Sequence, residues 1–168
     1  MSERVYNVLF VCTGNSARSI MAECALRRFG LGRFRAFSAG SKPAGVVHPV
    51  ALDVLRSLDH DTSTLRSKSW DEFARPDAPP LDFVFTVCDR ARGEACPVWP
   101  GRPISAHWGA SDPAAFVGSP DATRRLFTRI YTELESRVRL FAALRIEQLD
   151  QMTLRRRLDD IGRHTPPG

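Results

Sequence analysis

Residues 5–18 read VYNVLFVCTGNSAR, and this stretch decides the fold. Its first half, Val5 to Val11, is rich in β-branched and aromatic residues, which predicts a buried strand. Its second half, from Cys12 to Arg18, is a turn of small residues. The helical composition of residues 19–29 follows directly. A strand, a tight turn and a helix in this order predict the opening unit of an α/β fold.

The rest of the chain continues the alternation of strands and helices. Apolar periodicity predicts strands over 34–39, 81–87 and 103–107, helices over 49–58 and 121–144, and a short helix from residue 71. A further helix is predicted over 146–161, before a frayed end. This order predicts an α/β single-domain three-layer sandwich, with a four-stranded parallel sheet flanked by helices. We place the catalytic domain at residues 1–144 and a C-terminal extension at residues 145–168.

Composition excludes several classes of protein. The chain has 168 residues with 43% hydrophobic content, which suits one packed domain. It has neither a signal-peptide pattern nor an apolar stretch of about 18 residues, so we expect no membrane association. The net charge is +5, but no run of Lys and Arg is interleaved with aromatics, so we expect no nucleic-acid partner. The four cysteines therefore indicate a cytoplasmic protein, which we expect to be a monomer.

The main functional motif is a cysteine and an arginine, Cys12 and Arg18, separated by five small residues. Successive backbone N–H groups of such a turn curl around a tetrahedral anion, and the following helix adds the positive end of its dipole. The guanidinium can grip two anion oxygens. The same field is expected to lower the pKa of the cysteine and make it a nucleophilic thiolate. The predicted oxyanion loop comprises Thr13, Gly14, Asn15, Ser16, Ala17, Arg18 and Ser19.

Two further cysteines, Cys88 and Cys96, follow the third predicted strand. They are either incidental, or half of a zinc site completed by His107, or a thiol pair for a disulfide relay. Structural zinc prefers closer cysteine pairs and four ligands, which disfavours the second interpretation. Each cysteine lies in a predicted loop, which suits a relay.

Cys12, Cys88 and a loop that carries Asp112, followed by Pro113, all come after predicted strands, so a parallel sheet is expected to place them at one edge. An aspartate there can act as a general acid for a departing oxygen, although an aspartate before proline is also a common turn residue. The other reactive residue types are assigned structural or solvated positions: Cys24, His48, His60 and His164.

Together these segments resemble the low-molecular-weight tyrosine phosphatase superfamily, and more narrowly its arsenate reductase branch. The resemblance rests on residues 11–23, 38–40, 86–88, 96–97 and 107–114. Phosphatases of this family usually follow the catalytic Asp-Pro with tyrosine, and Ala114 stands in that position here. That difference, and the presence of all three reductase cysteines, favour the reductase branch.

The resemblance implies a reaction sequence for arsenate, with phosphate or sulfate as analogues. Cys12 attacks arsenate held by the loop and Arg18, and Asp112 protonates the departing oxygen. Cys88 then attacks the sulfur of Cys12 and arsenite leaves; Cys96 attacks Cys88, which forms a Cys88–Cys96 disulfide. An external thiol reductant, thioredoxin or glutaredoxin with glutathione, reduces this disulfide, and no cofactor is expected to be tightly bound.

Two points stay open after the resemblance. Seven residues lie between Cys88 and Cys96, one more than expected in the thioredoxin-coupled branch, so the electron donor is not assigned. Family members often hold a monovalent cation, and the corresponding residues would be Asn15, Glu23, Ser38 and Asp61. The alternative functions are a protein tyrosine phosphatase that forms a phosphocysteine, and a non-catalytic anion-binding module.

Overall fold

The predicted first strand forms at the centre of a parallel sheet. The structure is a computed structural model, and it describes residues 4–88, 99, 101–111, 113 and 116–164. Its strands are β1 (Tyr6–Cys12), β2 (Phe34–Gly40), β3 (Phe83–Thr86) and β4 (Ile104–His107). The strand order within the described residues is β2-β1-β3-β4, and every neighbouring pair is parallel. This confirms the predicted four-stranded parallel sheet.

The helices lie close to their predicted positions. They are α1 (Arg18–Phe29), α2 (Pro49–Ser57), α3 (Pro120–Ala142) and α4 (Gln151–Gly162), with short 3₁₀ helices over Trp70–Phe73 and Ile146–Gln148. Helix α1 packs against β1, β2 and α3, while α4 packs against β4 and α3. No helix among the described residues has the length and apolar character needed to cross a membrane.

The interior of β1 explains why the sheet needs helices around it. Val8, Leu9, Phe10 and Val11 have no exposed surface. A strand of a parallel sheet is buried on both faces, and it therefore shows a continuous apolar run instead of alternation. The α/β prediction from this run is confirmed.

The C-terminal extension differs from its prediction. Instead of one helix over 146–161, a 3₁₀ turn ends at Gln148, and Leu149 is extended. The carboxylate of Asp150 then accepts a hydrogen bond from the Thr153 N–H at 2.8 Å and starts a new helix. An aspartate in this position satisfies an N–H group that the first helical turn leaves unpaired, so the local hydrogen bond overrides the longer apolar period.

Candidate active site

The carboxyl ends of the strands meet at one edge of the sheet, and the loop after β1 lies there. Cys12 is the last residue of β1 and pairs in register with Gly40, the last residue of β2. A Cβ atom added at Gly40 would lie 2.5 Å from the carbonyl oxygen of Thr13, so only glycine lets β2 approach the loop this closely. The end of β2 therefore packs directly against the anion loop.

The helix that follows the loop has an N-terminus suited to an anion. Helix α1 has no side-chain cap and no acidic residue in its first turn. By contrast, α2, α3 and α4 are capped by His48, Ser119 and Asp150, respectively. The positive dipole end of α1 thus adjoins the loop with no capping side chain and no acidic residue in its first turn, which favours binding of an oxyanion.

A chain of hydrogen bonds orients a hydroxyl toward the Cys12 thiol. The Lys68 backbone N–H donates to Asn15 Oδ1 at 2.8 Å, which fixes the amide so that Nδ2 donates to Ser19 Oγ at 2.8 Å. Ser19 Oγ lies 2.9 Å from Cys12 Sγ, and when Cys12 is a thiolate the hydroxyl must be the donor in this contact. The Asn15 N–H also donates to Cys12 Sγ at 3.1 Å, and Asn15 adopts a positive φ of 46° that bends the loop toward the sulfur.

The ionisation of Cys12 differs from the sequence-based expectation. Burial raises the pKa of the Cys12 thiol, while hydrogen bonds with Ser19 lower it, the nearby Cys88 raises it and the charge of Arg18 lowers it. The expected lowering of the pKa was therefore wrong, because the loss of hydration in a fully buried position outweighs the groups that stabilise the thiolate. Among the groups that lower the pKa of Cys12, the hydrogen bonds from Ser19 have a larger effect than the charge of Arg18.

We predict that Ser19→Ala raises the pKa of Cys12 further and slows its alkylation at neutral pH. The substitution removes a hydrogen bond that stabilises the charged form of the thiol. The pH dependence of iodoacetamide alkylation, followed at Cys12 by mass spectrometry, measures the change. Ser16→Ala is the matched control and should leave the midpoint in place. Identical midpoints in the wild type and Ser19→Ala would show that this hydroxyl does not tune the thiol.

Arg18, the first residue of α1, spans the loop and the segment after β4. Its Nη1 donates to the carbonyl oxygen of Ala110 at 3.0 Å. This bond fixes one nitrogen of the planar guanidinium relative to the segment after β4. The predicted anion clamp is thus anchored from a segment distant in sequence.

The structure brings the second relay cysteine to the loop. Cys88 follows β3, is buried, and accepts a hydrogen bond at Sγ from the Thr13 N–H at 3.3 Å. Thr13 is the neighbour of Cys12, so the Cys88 thiol lies against the residue that follows Cys12. The predicted general acid Asp112 and the third cysteine Cys96 lie outside the described residues.

Only some of the residues of the expected cation site lie close to one another. Buried Glu23 accepts a hydrogen bond from Ser38 Oγ at 2.5 Å and pairs with Arg27. The ammonium of Lys68 lies 3.4 Å from Ser38 Oγ, and burial lowers the Lys68 pKa. Asp61 is exposed and accepts from the Ser63 N–H. Two cationic side chains thus surround Glu23, and no metal-binding group of three or more acidic, His or Cys residues occurs in the described ranges.

The remaining cysteine and histidines have structural positions, as predicted. Cys24 is buried in α1, and burial raises its pKa to about 12, which makes it unreactive. His48 caps α2 through Nδ1, His60 bonds the Tyr131 hydroxyl at 2.7 Å, and His164 bonds Ser136. Burial lowers the pKa of His60 to about 4, so this ring is neutral at physiological pH.

Sequence reasoning missed three residues that support the site: Lys68, Ala110 and Arg137. The first two act through backbone groups, which carry no sequence pattern. Arg137 does leave a pattern, because it lies on the buried stripe of α3 beside Leu134 and Phe141. A charged residue on the apolar face of a helix indicates a buried polar contact.

Comparisons with known proteins identify the family to which this chain is similar. The family model described as low molecular weight phosphotyrosine protein phosphatase matches residues 7–153. An arsenate reductase of Halalkalibacterium halodurans is 33% identical over 80% of this chain and 94% of its own length. The solved thioredoxin-dependent arsenate reductase of Corynebacterium glutamicum is 25% identical, with a TM-score of 0.63, over 88% of this chain and 66% of that chain. A solved arsenate reductase of Archaeoglobus fulgidus is 29% identical, with a TM-score of 0.62, over 82% of this chain and 99% of that chain.

Proposed function

Because the chain belongs to the low molecular weight phosphotyrosine protein phosphatase family, we propose that it reduces arsenate to arsenite through a cysteine relay that begins at Cys12. The observation that carries this proposal is the position of Cys88, whose thiol lies against the loop that holds Cys12. A phosphatase of this family needs a single nucleophile, whereas a reductase needs a second thiol within reach of the first. The arsenate reductases of Halalkalibacterium halodurans and Archaeoglobus fulgidus match this chain over nearly their whole length, which supports the same assignment.

The first step forms a bond between Cys12 sulfur and arsenic. The loop amides and Arg18 bind the arsenate oxygens, and the Cys12 thiolate attacks while Asp112 donates a proton to the departing oxygen, which leaves as water. The hydroxyl of Ser19 stabilises the thiolate before attack. Arsenic stays in the +5 state in this adduct.

The second step transfers two electrons to arsenic. The Cys88 thiolate attacks Cys12 sulfur, a disulfide forms between the two cysteines, and the sulfur–arsenic bond breaks with its electron pair on arsenic, which leaves as arsenite. The Cys96 thiolate then attacks Cys88 and releases Cys12 as a thiolate. The two electrons thus come from two thiols, which end as a Cys88–Cys96 disulfide.

The remaining disulfide must be reduced by an external dithiol. The similar protein from Corynebacterium glutamicum is thioredoxin-dependent, so we assign a thioredoxin-type donor here, with glutaredoxin and glutathione as the alternative to be tested. Thiol donors of both kinds operate in reducing compartments, which supports our proposal of a reaction in the cytoplasm. The whole relay lies on one chain, so a monomer suffices for catalysis.

Substitution of the two later cysteines separates reduction from hydrolysis. We expect Cys88→Ser and Cys96→Ser to lose multiple turnovers of arsenate while both keep weak hydrolysis of an aryl phosphate, because hydrolysis uses only the first step. Both activities are measured on the same preparations. Cys24→Ala, which changes a buried cysteine outside the relay, should retain both.

A contrary pattern would identify another function. If both serine variants reduce arsenate at the wild-type rate, the intramolecular relay is absent and external thiols act on Cys12 directly. If the wild type hydrolyses the aryl phosphate efficiently and never forms arsenite, the protein is a phosphatase.

A further inference from the structure

Arg137 is a buried charge on the apolar stripe of α3. Its side chain is 4% exposed, and its Nη2 donates to Glu133 Oε1 at 2.8 Å. A buried guanidinium destabilises a fold unless its donors are bonded. The partners of the other N–H groups of Arg137 therefore show which segments this residue connects.

Those partners are backbone carbonyls from two separate segments. Arg137 Nε donates to the carbonyl of His164 at 3.2 Å, in the C-terminal extension. Its Nη1 donates to the carbonyls of Trp108 at 3.2 Å and Gly109 at 2.9 Å, in the segment that follows β4. One side chain therefore links α3, the extension and the sheet edge at which the active site lies.

The extension also contacts the segment after β4 directly. The Trp108 indole N–H donates to the carbonyl of Leu158 in α4 at 3.0 Å. At Gly162, an added Cβ would lie 2.3 Å from the carbonyl oxygen of His107, so α4 lies flush against this segment. The backbone of residues 107–109 is thus held by α4 on one side and by Arg137 on the other.

The next residue along the chain is the one that anchors the anion clamp. Ala110 donates its N–H to the Val87 carbonyl at 3.0 Å and accepts at its own carbonyl from Arg18 Nη1 at 3.0 Å. A shift of the Trp108–Gly109 peptides would move the Ala110 carbonyl and rotate the guanidinium of Arg18. Grip on an oxyanion depends on the orientation of that planar group.

We propose that Arg137 and α4 together position Arg18 for oxyanion binding, by fixing the backbone of residues 108–110. The hydrogen bonds of Arg137 go to Glu133, Trp108, Gly109 and His164, so we assign it as a positioning residue. The proposal deepens the proposed function and rests on it for the arsenate measurements, while the binding of inorganic phosphate tests it independently.

The test is Arg137→Met in the full-length protein, which removes the bonds to the three carbonyls and to Glu133 while keeping an unbranched aliphatic stem in the buried position. We expect the dissociation constant for inorganic phosphate, measured by calorimetry, and the KM for arsenate to rise about tenfold, because displaced binding groups lose affinity steeply. Glu133→Gln is the matched control, since it changes the fourth partner of Arg137 and leaves the three carbonyl contacts. It should stay within about twofold of the wild type.

A second variant tests the contact between α4 and the segment after β4. Trp108→Phe removes the indole N–H bond to Leu158 together with part of a buried ring, and it keeps an aromatic ring against Phe85, so it provides a second measurement if Arg137→Met does not fold. It should weaken phosphate binding in the same direction. A lower Tm with unchanged phosphate affinity and KM in both variants would reduce Arg137 to a structural residue and overturn the proposal.

The two proposals fail in distinguishable ways. A wild-type protein that binds phosphate and never forms arsenite refutes the proposed function but leaves the positioning role open to the phosphate measurement, which still decides it. A wild type that binds no phosphate refutes the oxyanion site and the positioning role together.

Discussion

Cys12→Ser is expected to abolish arsenate reduction and aryl phosphate hydrolysis together, by about 10⁴-fold or more, as for loss of other enzymatic nucleophiles. A serine hydroxyl at this position remains protonated at neutral pH, and no base among its hydrogen-bond partners can take the proton, since Ser19 and the Asn15 N–H only stabilise the sulfur. Both activities begin with attack by this atom, so both disappear.

Phosphate binding separates lost chemistry from a lost fold in this variant. The loop amides and Arg18 do not depend on sulfur, so Cys12→Ser should still bind inorganic phosphate with an affinity close to that of the wild type. Arsenate turnover at the wild-type rate in this variant would show that another residue is the nucleophile.

Arg18→Lys is expected to reduce turnover by about 10²–10³-fold, the usual result of losing an oxyanion contact. The Lys ammonium is a point charge that cannot bind two oxygens in one plane, and it cannot reach an oxyanion while retaining the bond to the Ala110 carbonyl. The comparison of kcat and KM for arsenate measures the loss.

A lysine elsewhere in α1 provides the control for Arg18→Lys. Arg28 lies in the last turn of α1, where its guanidinium bonds the carbonyl of Leu58. Arg28→Lys should retain the activity of the wild type. If Arg18→Lys is as active as Arg28→Lys, the guanidinium is not the anion clamp.

The local sequence pattern was sufficient to predict the fold and the location of the first two relay cysteines at one edge of the sheet. The continuous apolar run of β1 indicated a parallel sheet, and parallel strands place their carboxyl ends at one edge. Cys12 ends β1 and Cys88 follows β3, so topology alone predicted that both lie at this edge, and the bond from the Thr13 N–H to Cys88 Sγ shows Cys88 beside the residue that follows Cys12.

Features that depend on tertiary contacts could not be predicted in this way. The pKa of Cys12 is raised because the folded chain buries the sulfur completely, and no local motif reports that burial. Likewise, the carbonyls that Arg137 binds come from Trp108, Gly109 and His164, which only the folded chain brings to one guanidinium. The break at Leu149 depended on the Asp150 carboxylate, which accepts hydrogen bonds from the N–H and the hydroxyl of Thr153.

The most direct test of the central claim is arsenate-dependent NADPH oxidation by the wild-type protein with thioredoxin and thioredoxin reductase, repeated with glutathione, glutaredoxin and glutathione reductase. The relay predicts one arsenite formed for each NADPH oxidised with at least one donor system, and a Cys88–Cys96 disulfide in mass spectra when the donor is withheld. Absence of arsenite with both donor systems, in a preparation that binds phosphate, would contradict the account.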